Sequence, residues 1–221
     1  PKIQKKTNRG RPALLSDSEL ITILVWNMLV VKQKTIKDTY NWLVMYHRKD
    51  FPRIPKYSAF VDQCHKTIPM LFCLLERSLS HKEPLRFMDS TMIPVCKLVR
   101  VDSHKVARSV ARLGKNHQGW HYGFKLHASV GTTGKLCAFT LTPANFHDAQ
   151  AIPKIINEYT EIAVGDGGYT ASVMRKHIFE TYGTIIISPP HFKQRKKVLT
   201  WWQDLLLKSR PKIESVFDYL K

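Results

Sequence analysis

Ile162-Ala163-Val164-Gly165-Asp166-Gly167-Gly168-Tyr169 is the stretch on which the fold of this 221-residue chain turns. A short apolar run flanked by turn residues reads as a strand buried on both faces. One acid closes it, and the two glycines that follow let the backbone turn sharply beside a ligand. A second stretch, Phe87-Met88-Asp89-Ser90-Thr91, also presents a single acid at the edge of an apolar segment, within a strand expected over residues 85–96. If the two strands are central neighbours, Asp89 and Asp166 stand side by side. Two carboxylates that close cannot both stay ionised cheaply without a cation between them. Mg²⁺, a hard ion that takes oxygen ligands, suits the pair.

Residues 123–130 alternate Phe124, Leu126, Ala128 and Val130, and residues 135–141 follow across Gly131-Thr132-Thr133-Gly134. That pattern predicts a β-hairpin. Helices are expected over 148–159 and 171–182. A core strand is expected over 184–188, where three isoleucines run into Pro189-Pro190. Strand, strand, strand, helix, strand, helix, strand, helix is the order of a mixed α/β sheet flanked by helices, with its hairpin at one side. Residues 97–120 carry six basic residues and few strand signals, which predicts a loop or short helix over the active face.

The amino-terminal part reads differently. Residues 1–15 form a basic, irregular arm that includes Arg9 and Arg11. Ser16-Asp17-Ser18-Glu19 is a capping box, in which the Ser16 hydroxyl and Glu19 carboxylate satisfy the first free amides. Leu20, Ile23, Leu24, Met28 and Val31 then share a helical face interrupted by Asn27, and two further helices follow, with Pro69 expected to bend or restart the last. Three short amphipathic helices behind a basic arm suggest a small all-α, helix-turn-helix-like DNA-binding region over 1–82, ahead of a catalytic domain over 83–221. The chain opens on Pro1 rather than Met and stops at Lys221 inside an expected helix, so a fragment of a longer protein is expected.

Lys and Arg total 35 against 17 Asp and Glu, a net charge of +18. Such an excess opposes folding by self-repulsion unless a polyanion offsets it, which points to nucleic acid first and a membrane surface second. An ordinary basic enzyme is the bland alternative. The longest apolar run, residues 20–31, is broken by Thr22 and Asn27 and falls short of the ~20 residues of a spanning helix. No signal peptide is visible. Cys64, Cys73, Cys96 and Cys137 form no Cys-x-x-Cys pair and read as reduced core thiols, consistent with a cytoplasmic protein.

Arg210-Pro211-Lys212-Ile213-Glu214 opens a third decisive segment. Pro211 suits a first helical turn, and Ile213, Val216, Phe217 and Leu220 make a core face. Glu214 and Lys221, seven residues apart, fall within about 20° of each other on that helix, an acid and a phosphate-pairing cation on one side. Other residues carry weaker signals. Asp148 follows His147 where a strand gives way to a helix and is expected to cap it, with a catalytic role as the alternative. Lys125 and His127 share one strand face, directed either at a substrate phosphate or at solvent. Trp120, Tyr122, Trp201 and Trp202 are core aromatics or stacking platforms for an unpaired base. Lys193, Arg195, Lys196 and Lys197 make a basic run placed to meet a DNA backbone.

Asp89, Asp166 and Glu214, in this order and on these elements, resemble the Asp-Asp-Glu triad of RNase H-like bacterial insertion-sequence transposases. The last segment resembles the family signature of Tyr, two residues, Arg, three residues, Glu, six residues, Lys, matched by Arg210, Glu214 and Lys221, with Leu207 in the place of the Tyr. Residues 119–127 and 143–149 resemble the family's second- and third-strand motifs. With Arg9-Gly10-Arg11-Pro12, these features are most similar to the insertion-sequence 982-type branch. The resemblance implies an RNase H-like fold and two Mg²⁺ ions, replaceable by Mn²⁺, held by Asp89, Asp166 and Glu214. It also implies cleavage at transposon ends and transfer of the 3′-OH strand to target DNA. Double-stranded DNA, as terminal repeats and target, would be the partner of a homodimer in the bacterial cytoplasm. Two alternatives stand: an RNase H-like nuclease that cuts without joining, and an inactive transposase-derived DNA-binding protein.

Overall fold

In the computed structural model, residues 13–105, 107–116, 119–190 and 198–220 are described. Arg9, Arg11, Lys193, Arg195, Lys196, Lys197 and Lys221 lie outside them. Helices α1 (Asp17–Trp26), α2 (Ile36–Tyr46) and α3 (Tyr57–Ser78) come first. Strands β1 (Leu85–Cys96), β2 (Arg112–Asn116), β3 (Gly119–Val130) and β4 (Leu136–Pro143) follow. Then come α4 (Asp148–Ile155), β5 (Ile162–Val164), α5 (Ser172–Tyr182), β6 (Ile185–Ile187), α6 (Trp201–Ser209) and α7 (Pro211–Leu220). The chain divides into two compact units, Pro1–Arg77 and Ser78–Lys221.

In the helical unit the capping box forms: the Glu19 amide donates to Ser16 Oγ at 3.2 Å, and the Ser16 amide donates to Glu19 Oε2 at 2.7 Å. Leu15, Leu20, Ile23, Leu43, Phe60 and Cys64 bury against one another. The polar interruption at Asn27 marks the point where α1 widens into a π-helical turn over Asn27–Val31. The Asn27 amide bonds the Gln33 backbone in both directions, at 3.3 and 3.2 Å, so a buried polar group is satisfied. Pro69 neither ends nor restarts α3, which runs through it. The seam of Phe60, Cys64 and Thr67 keeps helical spacing and buries one face, which offsets the single amide bond that proline removes.

The second unit is built on β1. It pairs antiparallel with β3, Asp89 opposite Ala128 and Thr91 opposite Leu126. Beyond β3 lies β4, also antiparallel. Parallel strand β5 lies on the other side of β1, with Phe87 beside Val164, and β6 runs parallel to β5. The order β4-β3-β1-β5-β6, three antiparallel strands joined to two parallel ones by crossovers through α4 and α5, is the RNase H-like arrangement. The hairpin over 123–141 is present as expected. Inside the segment expected as loop or short helix, β2 takes the free edge of β3 over residues 119–123. Only glycine fits in the middle of β2, because a Cβ on Gly114 would lie 2.1 Å from the Ala144 carbonyl oxygen.

Strand alternation sorts the core into two layers. Phe87, Ala128, Val130, Val164 and Ile187 pack on one side with Ile213 and Phe217 of α7. Met88, Ala163 and Ile186 point the other way, against Ile152, Ile155, Tyr169 and Ile178. All four cysteines are free, and Cys64 and Cys137 are buried. Among the described residues, no helix is long and apolar enough to cross a membrane.

Candidate active site

The parallel register of β1 and β5 places the two aspartates. Phe87 and Val164 are partners and both face α7. Two residues further along each chain, on the same side of the pleat, come Asp89 and Asp166. The β5 strand stops at Val164, and Asp166 begins a tight 3₁₀ turn by accepting the Gly168 amide at 2.9 Å. The helix α7 crosses this face with Ile213 and Phe217 buried, so Glu214, beside Ile213, is carried to the same edge. Asp89, Asp166 and Glu214 accordingly line one cleft of about 620 Å³, together with Asp148, Lys125, Lys115 and Arg210.

Burial pushes the Asp89 carboxyl up to about 6, and Asp166 and Glu214 push it in the same direction. The Ser90 amide, 2.8 Å from Oδ1, and the Arg210 guanidinium pull the other way. Arg210 donates to Asp89 Oδ2 at 3.3 Å and to Glu214 Oε1 at 2.6 Å, so one cation spans two of the three acids. The Tyr169 hydroxyl is buried, with no hydrogen-bond partner among the described residues. Burial, then Asp148, Asp89 and Asp166, hold that phenol neutral.

Residues 79–221 match the family model described as the transposase DDE domain. The chain belongs to that family. No curated protein matches it. Two solved structures similar to this transposase chain are the Mos1 transposase paired-end complex with left transposon end and the Mos1 mariner paired end complex with Mn. The first is 15% identical over 98% of this chain and 80% of that one, with a TM-score of 0.28. The second is 12% identical over the same shares, with a TM-score of 0.27. Likeness at that level leaves the reading of this transposase to its own residues and to the family match.

The cleft of the transposase holds more than the three acids that the sequence singles out. His147, not Asp148, caps α4, its Nδ1 accepting the Ala149 amide at 3.2 Å. Asp148 is thereby left to line the cleft, where its Oδ1 lies 3.3 Å from Lys125 Nζ and 3.4 Å from His127 Nδ1. Lys125 and His127 are not on a solvated face. Both are buried, Lys125 donating also to the Phe146 carbonyl at 3.0 Å, and His127 Nε2 lying 2.9 Å from Thr142 Oγ1. Burial draws His127 down to about 4 despite the pull of Asp148, with Lys125 and Lys154 assisting. The ring is therefore neutral, and its contact with Asp148 is not a full ion pair. Trp120 lies half-exposed at the start of β3 with Lys115 Nζ 5.7 Å from its ring centre, outside the cleft lining, whereas Lys115 itself is part of it. Trp201 is exposed on α6, while Trp202 and Leu207 pack on the core beside Ile213.

An oxygen-only donor set suits Mg²⁺ or Mn²⁺. The acids of this transposase meet that requirement in kind, and the raised Asp89 carboxyl is one that a cation would favour ionising. Among the described residues, no three His, Cys, Asp or Glu side chains are gathered tightly enough to ligate an ion as they stand. Arg210 takes up part of that charge between Asp89 and Glu214.

Proposed function

We propose that this transposase is a divalent-metal-dependent enzyme that cuts at transposon ends and transfers the 3′-OH strand to target DNA. The observation that carries the reading is the convergence of Asp89, Asp166 and Glu214 on one cleft, in a chain of net charge +18. Asp89, Asp166 and Glu214 would hold the ions, two per site. When bound, they supply charge that stabilises the attacking and leaving oxygens of an in-line displacement.

The chain's own residues do the rest. The three acids fix the reacting edge to the middle of β1, to the tight turn just past β5 and to the first turn of α7. Arg210, freed from one acid or both, is placed to neutralise a non-bridging phosphate oxygen, and Lys115 lies on the same cleft wall. Lys125, buried and tied to Asp148 and the Phe146 carbonyl, positions that fourth acid beside the site.

The helical region over 1–82 and the basic residues Arg9, Arg11, Lys193, Arg195, Lys196, Lys197 and Lys221 extend the DNA contact, with Trp120 a stacking candidate at its border. Joining two ends implies a homodimer on DNA, acting in the cytoplasm at the nucleoid.

The test is cleavage and joining of a labelled duplex carrying the element's terminal repeat, with Mg²⁺ or Mn²⁺ and with chelator. Metal-dependent nicking and a joined product are expected, both falling at least ~100-fold in Asp89→Ala, Asp166→Ala and Glu214→Gln. Nicking without joining would move the assignment to a nuclease, and binding without either would leave a DNA-binding derivative.

A further inference from the structure

The turn that begins at Asp166 runs through Tyr169 and Thr170 into α5, and from that helix Arg175 reaches back. Its Nε donates to the Tyr169 carbonyl at 3.3 Å, and its Nη2 to the hydroxyl of Ser188, just past β6. These bonds hold the guanidinium at the wall of a second cavity, about 390 Å³, which Thr170, Ser188, Pro190, Leu199 and Gln203 also line. Arg175 is partly buried, and among the described residues no carboxylate pairs with it. Burial draws its pKa down.

Other sheltered cations in this unit are matched. Lys125 has Asp148, and Arg210 has Asp89 and Glu214. Arg86, fully buried, is satisfied by the carbonyls of His81, Glu83 and Ile155 and by the Asn157 side chain, all neutral. Arg175 has two neutral acceptors and a cavity. A guanidinium offers five N–H donors in a planar fork that fits phosphate oxygens two at a time. A partly desolvated guanidinium with N–H donors left facing a cavity is costly unless acceptors complete it, and an anion does so best.

We propose that the Arg175 cavity is a phosphodiester-binding site, seating a backbone phosphate of the DNA that occupies the neighbouring acidic cleft. Its position supports this. Asp166 follows β5 and Ser188 follows β6, adjacent parallel strands about 4.8 Å apart, so cleft and cavity open along the same carboxyl edge of the sheet. The Ser188 hydroxyl accepts from the guanidinium and keeps its own hydrogen to donate to the phosphate, whereas that of Thr170 is given to the Gly167 carbonyl at 2.8 Å. This site rests on the transposase reading above. Free inorganic phosphate has the same recognition chemistry and is separated from DNA by the experiment.

Binding of the full chain to a short duplex of arbitrary sequence is measured across a salt series for wild type, Arg175→Gln, Arg175→Lys and Ser188→Asp. Losing one phosphate contact makes the log–log salt slope shallower by about 0.9, so the weakening between about 50 and about 200 mM salt shrinks by about threefold. That change is expected in Arg175→Gln and in Ser188→Asp, which supplies an internal carboxylate and keeps the guanidinium paired. Arg175→Lys should keep the wild-type slope. Ser188→Asp also keeps the test decisive if Arg175→Gln does not fold. Unchanged slopes, with only a lowered Tm, would make Arg175 a structural strut between the turn and β6 and would overturn the site. A wild-type Tm raised by inorganic phosphate and lost in Arg175→Gln, with unchanged DNA slopes, would replace it by a small-anion site. Wild-type cleavage that depends on Asp89 but unchanged slopes would remove this inference and keep the transposase. Absence of any DNA binding by wild type would remove both.

Discussion

Arg210 is 3.3 Å from Asp89 and 2.6 Å from Glu214, and this one guanidinium governs how the acids coexist without a metal ion. In Arg210→Gln the carboxylates lose their shared counter-charge. The metal-free protein is expected to lose about 1 kcal/mol, a modest figure because Glu214 is half-exposed and screened by water. Mg²⁺ should then raise Tm by more in the variant than in wild type, which thermal unfolding with and without chelator will read. An equal Mg²⁺ shift in both proteins would mean that Arg210 and the ions do not share these acids. His127 gives a pH signature. Its folded pKa, about 4, lies below the ordinary 6.5. A depressed histidine favours folding above its unfolded pKa, so this contribution is present above pH 6.5 and lost as pH falls towards 4. Denaturant unfolding at pH 7 and pH 5 should show wild type weakening more than His127→Gln, by on the order of 1–3 kcal/mol. A parallel decline in both would place the acid sensitivity elsewhere. The three acids Asp89, Asp166 and Glu214 stand out in the chain because each ends or opens an apolar pattern. Asp148, Lys125 and His127 do not, since their meeting depends on the β3–β4 pairing and on His147 taking the cap.

Elements differ in how plainly they write themselves. The hairpin is legible because Phe124, Leu126, Ala128 and Val130 alternate against a Gly-rich turn, and the capping box because both of its side chains are local. Strand β2, Arg112-Leu113-Gly114-Lys115-Asn116, is not. Gly114 is its one buried residue, so an edge strand of this kind leaves no alternating signal. What holds it is backbone pairing to residues 119–123, a tertiary fact. The turn after β5 is the element that carries Asp166 to the cleft. A Cβ on Gly165 would stand 2.6 Å from the Tyr169 ring, and Tyr169 is fully buried. Gly165→Ala must therefore shift the ring or the turn that carries Asp166. Overpacking of this kind costs about 1–3 kcal/mol, and cleavage should fall by more than the lost stability explains. Thermal unfolding beside a single-turnover assay on folded protein will separate the two. Wild-type activity at full occupancy of the fold would show that Asp166 tolerates the shift. In the helical unit, Ser16→Ala should cost only about 1 kcal/mol, the ordinary loss of an N-cap, and leave chemistry on pre-bound DNA unchanged.

At the scale of the whole molecule, charge is shared rather than confined. Residues 1–77 hold 14 Lys and Arg against 6 Asp and Glu, and residues 78–221 hold 21 against 11, so both units carry a surplus, +8 and +10. Several of the acids in the second unit are concentrated in the cleft, where Asp89, Asp148, Asp166 and Glu214 meet. A duplex drawn to such a protein is attracted by the surface as a whole and repelled locally by the cleft until that cleft's charge is offset. Two dependences should follow and be separable. Affinity for duplex of any sequence should fall steeply with salt, by about 10³-fold between 50 and 200 mM if some six phosphates are contacted. Mg²⁺ at constant ionic strength should act in the opposite sense on wild type, tightening binding by relieving repulsion at the cleft. Replacing Asp89 and Glu214 by Asn and Gln should tighten metal-free binding and abolish most of that Mg²⁺ effect, while leaving the salt slope within about one phosphate of wild type. Fluorescence anisotropy across a salt series, with and without Mg²⁺, measures all three quantities. Equal Mg²⁺ effects in wild type and in the doubly neutralised protein would show that the ions act on the DNA alone, and the acidic cleft would then have no part in holding the substrate.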